Sequence, residues 1–384
     1  MIIVYIIVFL CVFTLSLFIF IDILPYIRRK CLHESFLADN LKYEDYLAIV
    51  QKASWHMCNT NKTEMILNDE RDFISQFALL LNRLKKESVH KEWIYNFPKA
   101  FLLIGLSDLC LSRIDLLERL EIISETYLEQ YENKILKFDC IMRVPFALFF
   151  LNMYTLTKDK KYLIPAKEAY LNLLKWKGND NIIYYFRNHP HQNLHYVDGL
   201  GMYIPFLVKY STIMNEQFAM RLASANMDYY MMYGVDSNYL PFHNINNGIK
   251  LGPNNWGRGI GWFILGLLPL IDFDDKYRHY GEKLYHTLKI LEYKPFLWTQ
   301  FPGASHRIDS SATLPILLLY LKLNSKLSHS ENTIILKNLI SLTLINGKIG
   351  YTSGDTRDIN TYSKVFSTSE FSQGLLLTIL GKLK

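Results

Sequence analysis

The 384-residue chain is predicted to be all-α: an (α/α)6 barrel, a closed double ring of paired helices, behind an N-terminal transmembrane helix. Three observations predict this. Beyond about residue 69, eleven segments carry apolar residues at helical spacing. Neighbouring segments differ in kind: one has a charged face and the next is apolar nearly all round, as the outer and inner helices of two layers must be. Residues 2–21 contain no charged side chain, about the 20 apolar residues that a helix needs to cross a bilayer.

The first element is the run IIVYIIVFLCVFTLSLFIFI, closed by Asp22 and Pro25 and followed by Arg28, Arg29 and Lys30. It lacks the basic start and small-residue exit of a cleaved signal peptide. It therefore reads as an uncleaved, single-pass membrane anchor through residues 2–24. The positive-inside rule then puts the body of the chain in the cytoplasm; the extracytoplasmic side is the alternative, because large domains translocate despite flanking charge. Residues 1–30 form the anchor and its basic stop, 31–70 a polar connector or first helix, and 71–384 the barrel.

The helical segments are 73–84, 101–111, 114–131, 142–156, 162–176, 200–211, 216–233, 261–271, 277–291, 311–323 and 331–344. Breaks fall at Lys177-Gly178-Asn179-Asp180, Gly234, Asn346-Gly347 and Gly354, and strand-like alternation is confined to pieces such as 182–186 and 349–352. The segments make five to six hairpins at intervals of about 55 residues, without obvious sequence repetition. An open solenoid of helical pairs is the competing arrangement. No Pro-, Gly- or Ser-rich linker divides the barrel.

Composition excludes several classes. The net charge of +6 is modest, and no run of five or six like charges offers the basic stripe of a nucleic-acid binder. Cys11, Cys31, Cys58, Cys110 and Cys140 have neither C-x-x-C nor metal-ligand spacing, so they read as free thiols or small core residues. The sequon Asn61-Lys62-Thr63 matters only in a glycosylating compartment. With no H-E-x-x-H motif and no glycine-rich phosphate loop after a strand, neither a metal nor a cofactor is expected.

Residues 254–262, NNWGRGIGW, hold two tryptophans, an arginine and three glycines. Glycine admits close backbone approach, while Trp and Arg supply a stacking face and a planar anion fork. That combination suits a carboxylated sugar. Asp198 precedes Trp256 by 58 residues and follows Asp139 by 59, as if each repeat delivered one polar residue to a common pocket. Each aspartate leads a predicted inner helix. Capping of that helix is the competing reading, since Asp is a favoured N-cap; two such acids at equivalent places favour a site.

These motifs resemble glycoside hydrolase families 88 and 105, the unsaturated glucuronyl and unsaturated rhamnogalacturonyl hydrolases. The matching residues are Asp139-Cys140-Ile141-Met142, Asp198-Gly199-Leu200-Gly201-Met202 and the WGRGIGW run. RIDSSAT at 307–313 and Ser372-Gln373-Gly374 in the last helix also match. The resemblance spans roughly residues 95–384. It implies an (α/α)6 barrel that removes a 4,5-unsaturated uronic acid from an oligosaccharide end. Asp198 would protonate C4 of the enol ether and help add water at C5, with a pKa raised by an apolar pocket and a second carboxylate. Asp139 would be that second acid. Arg258 would pair with the uronate carboxylate, and Trp256 or Trp262 would stack on the ring. His243, His195 and Ser310 complete the expected substrate contacts. The partner is an acidic oligosaccharide or polysaccharide, with no nucleic acid. Two alternatives remain: a membrane-tethered polysaccharide-assembly or binding protein on the same scaffold, and a sugar epimerase using His189, His191 and His195.

Overall fold

The computed structural model describes residues 1–19, 36–37, 41–60, 63–66, 96–178, 180–185, 194–305, 307–324, 326–356 and 358–383. Of the sequence expectations, the basic stop at 28–30, Cys31, Asn61, the helix at 73–84, His189 and His191 lie outside these residues.

Twelve of the described helices build the two layers. Six are inner: α3 (Phe97–Cys110), α5 (Val144–Thr157), α7 (Val197–Met214), α9 (Gly257–Leu267), α11 (Ser310–Leu323) and α13 (Glu370–Leu380). Each packs on the next in that order, and α13 packs back on α3 to close the ring. The outer layer comprises α2 (Tyr43–Asn59), α4 (Leu117–Glu132), α6 (Leu163–Trp176), α8 (Gln217–Tyr233), α10 (Asp275–Ile290) and α12 (His329–Ser341). The chain thus alternates outer and inner six times, consistent with an (α/α)6 barrel. The open solenoid is excluded by the α13–α3 contact.

Burial follows this division. Every residue of α9 is buried, as are all but one of α3, whereas α10 buries only Tyr277, Tyr280, Gly281, Leu284 and Leu288. Ring closure is set by two glycines. A Cβ on Gly105 would lie 2.1 Å from the Gly374 carbonyl oxygen, and one on Gly374 would lie 2.0 Å from that of Phe101. Only hydrogen at both positions lets the two backbones approach this closely.

Among the described residues five short strands sit in the loops: β1 (Leu194–Tyr196), β2 (Asn244–Asn246) and β3 (Ile249–Leu251) form one antiparallel sheet, and β4 (Thr352–Ser353) with β5 (Phe366–Ser367) another. Asn247 and Gly248, both at positive φ (50° and 79°), make the two-residue turn between β2 and β3, the Asn-Gly signature of a tight hairpin.

Helix α1 (Ile2–Phe18) covers the described part of the expected anchor, whose residues 20–24 lie outside the described residues. Among the described residues no helix is long and apolar enough to cross a membrane. The stretch read as a polar connector or first helix contains α2, which packs against α3 and α13. Ile183 makes only an isolated bridge to Lys177, so the strand expected there does not form. Helix α9 begins four residues earlier than periodicity predicted, because its glycines are packing positions: a Cβ on Gly257 would meet Ala312 and the Thr299 carbonyl, and one on Gly261 would meet Pro315. Cys58, Cys110 and Cys140 are unpaired thiols.

Candidate functional site

The sheet places the first two site residues. Strand β1 runs directly into α7, and His243 directly precedes β2. Antiparallel pairing of Tyr196 with Asn244 sets the residues just beyond the pair side by side, and the Val197 amide donates to the His243 carbonyl at 3.1 Å. Asp198, in the first turn of α7, is thereby brought to His243, with 3.4 Å between Oδ2 and Nε2. The N-cap position of α7 belongs to Tyr196, and no side chain caps the helix. Asp198 therefore does not act as the cap that its position suggested. Its carboxylate is 16 % exposed and Oδ2 is buried without a hydrogen-bond donor.

His243 is fixed from behind. Nδ1 lies 2.8 Å from the Tyr362 hydroxyl and 3.2 Å from the Ile359 carbonyl. Its ring centroid is 4.4 Å from that of Trp256, which in turn lies 5.2 Å from Tyr362. Trp256 is buried, and its indole N–H has no partner. The side-chain amide of Asn244 is also buried with both polar atoms unpartnered. Unsatisfied buried polar atoms are costly, so groups left without a protein partner suit water or the hydroxyls of a ligand.

Arg258 is 1 % exposed. Nη1 donates to the Ser353 carbonyl at 2.8 Å and Nη2 to that of Gly354 at 2.6 Å, while the guanidinium lies 5.4 Å from the Trp256 ring. The fork expected to face a uronate thus grips the loop that follows β4. That loop carries Asp355, a residue the sequence reading missed. The Asp355 amide donates to the Ile66 carbonyl at 2.7 Å, and its carboxylate lies within electrostatic reach of Arg258, Asp198 and His243. Desolvation pushes its pKa up to about 6; Arg258 lowers it and Asp198 raises it. The carboxylate that accompanies Asp198 is Asp355.

Asp139 lies elsewhere. It is 58 % exposed, paired with Arg143 at 2.9 Å, and lines a groove of about 600 Å³ with Lys134, Lys137, Lys175 and Trp176. Its neighbour Cys140 nonetheless lies within electrostatic reach of Tyr185, as do Asp198 and Asp355, so the Asp139 loop reaches the same end of the barrel.

Three other expected contacts are packed into the protein. Trp262 meets Phe97, Phe101 and Phe371 at centroid distances of 5.2, 5.5 and 4.6 Å, an aromatic plug in the inner ring. His195 pairs with Ile245 on the sheet face opposite Tyr196. Its Nε2 is 3.0 Å from the Tyr203 hydroxyl, and burial lowers its pKa to about 4. This removes the histidine that the epimerase alternative needed in the open. Ser310 is buried, its hydroxyl 2.7 Å from that of Thr352. Among the described residues, Tyr185, Tyr196 and Tyr362 are partly accessible aromatics within electrostatic reach of Asp198. Tyr196 was legible beside Asp198, whereas Tyr185 and Tyr362 fall in loops without periodicity.

No curated protein matches this chain in sequence. Among solved structures, the fold is similar to that of a possible family 105 member from Salmonella enterica serovar Paratyphi A, with TM-score 0.71, 15 % identity, 89 % of this chain and 94 % of that one. It is also similar to the unsaturated glucuronyl hydrolase of Bacillus sp. GL1, responsible for degradation of glycosaminoglycan (TM-score 0.67, 14 % identity, 88 % and 96 % covered). An unsaturated glucuronyl hydrolase specific for heparin aligns with TM-score 0.65 at 16 % identity, covering 88 % and 97 %. The sequence model of Glycosyl Hydrolase Family 88 matches residues 82–293, more than half the chain: the protein belongs to glycosyl hydrolase family 88 and is a glycoside hydrolase.

Proposed function

We propose that the enzyme releases a terminal 4,5-unsaturated uronic acid from an acidic oligosaccharide by hydrating its vinyl ether. The observation that carries this reading is the Asp198 carboxylate: it stands at the barrel mouth, uninvolved in capping, with one oxygen unpartnered and a histidine 3.4 Å away.

In this reaction the Asp198 carboxylic acid delivers its proton to C4, and positive charge develops at C5 beside the ring oxygen. Water then adds at C5 and returns a proton to the Asp198 carboxylate. The resulting hemiketal opens, the glycosidic bond breaks, and the shortened oligosaccharide leaves with its hydroxyl restored. Asp198 thus serves first as acid and then as base. His243, held by Tyr362 and backed by Trp256, keeps the carboxylate oriented and binds a sugar hydroxyl. Tyr185, Tyr196 and Tyr362 offer the accessible ring faces on which a sugar can stack. Arg258 acts from behind the wall, holding the Asp355 loop and lending positive charge to the end of the pocket that receives the uronate. Asp139 joins the substrate by turning from Arg143. The neighbours named as unsaturated glucuronyl hydrolases support this substrate class.

The test uses the substrate's own chromophore. The enol ether conjugated to a carboxylate absorbs in the near ultraviolet, and hydration destroys it. The enzyme should bleach one or more lyase-generated unsaturated disaccharides and release the saturated residue as a free sugar. Failure to bleach any of them would overturn the uronide assignment.

A further inference from the structure

We propose that Asp355 is a specificity residue: its carboxylate accepts a hydrogen bond from a sugar hydroxyl and excludes the same sugar when that hydroxyl carries a sulfate. The inference rests on the uronide reading above and adds the substitution pattern of the sugar.

The geometry of the loop carries it. Arg258 holds the Ser353 and Gly354 carbonyls, the Gly354 amide donates to the Val365 carbonyl at 3.0 Å and that of Asp355 to the Ile66 carbonyl. The backbone that presents Asp355 is therefore anchored on both sides. The Thr356 amide, at 3.0 Å, donates to Oδ1; among the described residues nothing donates to Oδ2, although the side chain is partly accessible. Among the described residues, the groups whose charge reaches Asp355 are Arg258, Asp198 and His243, and Asp355 in turn acts on Tyr185. The one permanent cation among them already serves two carbonyls with its terminal nitrogens. At neutral pH this wall therefore offers an approaching sugar a carboxylate that can only accept. A hydroxyl satisfies it. A sulfate brings a like charge and no proton, leaving the carboxylate desolvated and unpartnered, and a site built to accept from a hydroxyl discriminates strongly against an analogue that cannot donate.

The experiment measures kcat/KM for the full chain, Asp355→Asn and Asp355→Ser on an unsulfated unsaturated uronyl disaccharide and on its singly sulfated forms. The wild type should disfavour at least one sulfated form by about tenfold or more, and Asp355→Asn, which keeps the shape but removes the charge, should narrow that ratio by about tenfold. A purely structural role would slow all the sugars alike and leave the ratio unchanged. The wild type supplies a check without substitution: the same ratio should shrink below about pH 6, where Asp355 takes up its proton. Equal ratios in the wild type and both variants would overturn the proposal. Calorimetric titration of the same sugars into the Asp198→Asn full chain reads the preference without turnover. If the wild type bleaches nothing but that variant binds the sugars with the preference, the hydrolase reading falls and the role of Asp355 stands. Binding without preference, or no binding, removes the role of Asp355.

Discussion

Asp198 Oδ2 faces His243 Nε2 at 3.4 Å, while the far nitrogen of the same ring is committed elsewhere. The Tyr362 hydroxyl donates to the Ile359 carbonyl, so its oxygen can only accept from His243, and Nδ1 must carry a hydrogen. Nε2 is then the ring nitrogen left to face the Asp198 carboxylate, at the place where the first chemical step needs a proton.

Replacing Asp198 by Asn should abolish bleaching. General acid–base groups contribute about 10²–10⁴-fold, and protonation at C4 is the first bond-forming event here. The melting temperature should hold, because the side chain caps nothing. Retention of activity within about tenfold would remove Asp198 from the chemistry.

Asp139→Asn separates a surface ion pair from a substrate contact. An exposed pair such as Asp139–Arg143 contributes about 0–1 kcal/mol, so stability should barely change. If Asp139 turns to the substrate, kcat/KM should fall by about tenfold or more; unchanged kinetics would assign it to the surface.

Arg258→Lys tests the clamp. A lysine offers a point charge and cannot span both the Ser353 and Gly354 carbonyls. Hydrogen bonds to charged groups contribute about 1.5–3 kcal/mol each, so loss of one should lower the melting temperature measurably. The Asp355 loop should loosen, seen as faster amide exchange at Gly354 and Asp355. A variant that keeps wild-type exchange but loses affinity for uronates would restore the direct-contact role expected from sequence.

His195 should be legible in acid. Its folded pKa, about 4, lies below the ordinary 6.5, so the unfolded chain binds its proton first. The stability tied to the neutral ring is complete above the unfolded value and is lost as pH falls through 6.5 towards 4, by up to about 1.4 kcal/mol per pH unit. His195→Gln should flatten the melting temperature over that window while leaving the pH profile of kcat in place. An unchanged acid slope would contradict this.

How much of this was legible in the sequence depends on range. The inner helices declared themselves because an all-apolar segment has one place to go. Asp198 was readable beside Tyr196 and the glycines. Its partnership with His243 depends on strands of three residues, too short for alternation to register. Asp355 follows Gly354 in a stretch without period, and its role comes from Arg258, 97 residues earlier. Trp256 and Trp262 looked equivalent in one motif; the first turn of α9 separates them, leaving Trp256 beside His243 and sending Trp262 into the core. Burial of the Arg258 fork could not be read, because a motif names donors without saying which acceptors reach them first.

Gly374→Ala should be severely destabilising. Its methyl group would have to share space with the Phe101 carbonyl, and overpacking a tight core costs about 1–3 kcal/mol or more. A melting temperature within a degree or two of the wild type would show that the α13–α3 contact can relax.

The join between Gly105 and Gly374 also orders events in time. Most helical proteins assemble from local contacts and do so fast, but this ring shuts only when its last helix finds its first. The loop bearing Asp355 enters just ahead of that helix. Asp198 and His243 meet earlier through β1 and β2, yet Tyr362 and Ile359, which fix His243 from behind, arrive with the Asp355 wall and the closing helix. Orientation of the acid and selection among sugars are completed in the same late step.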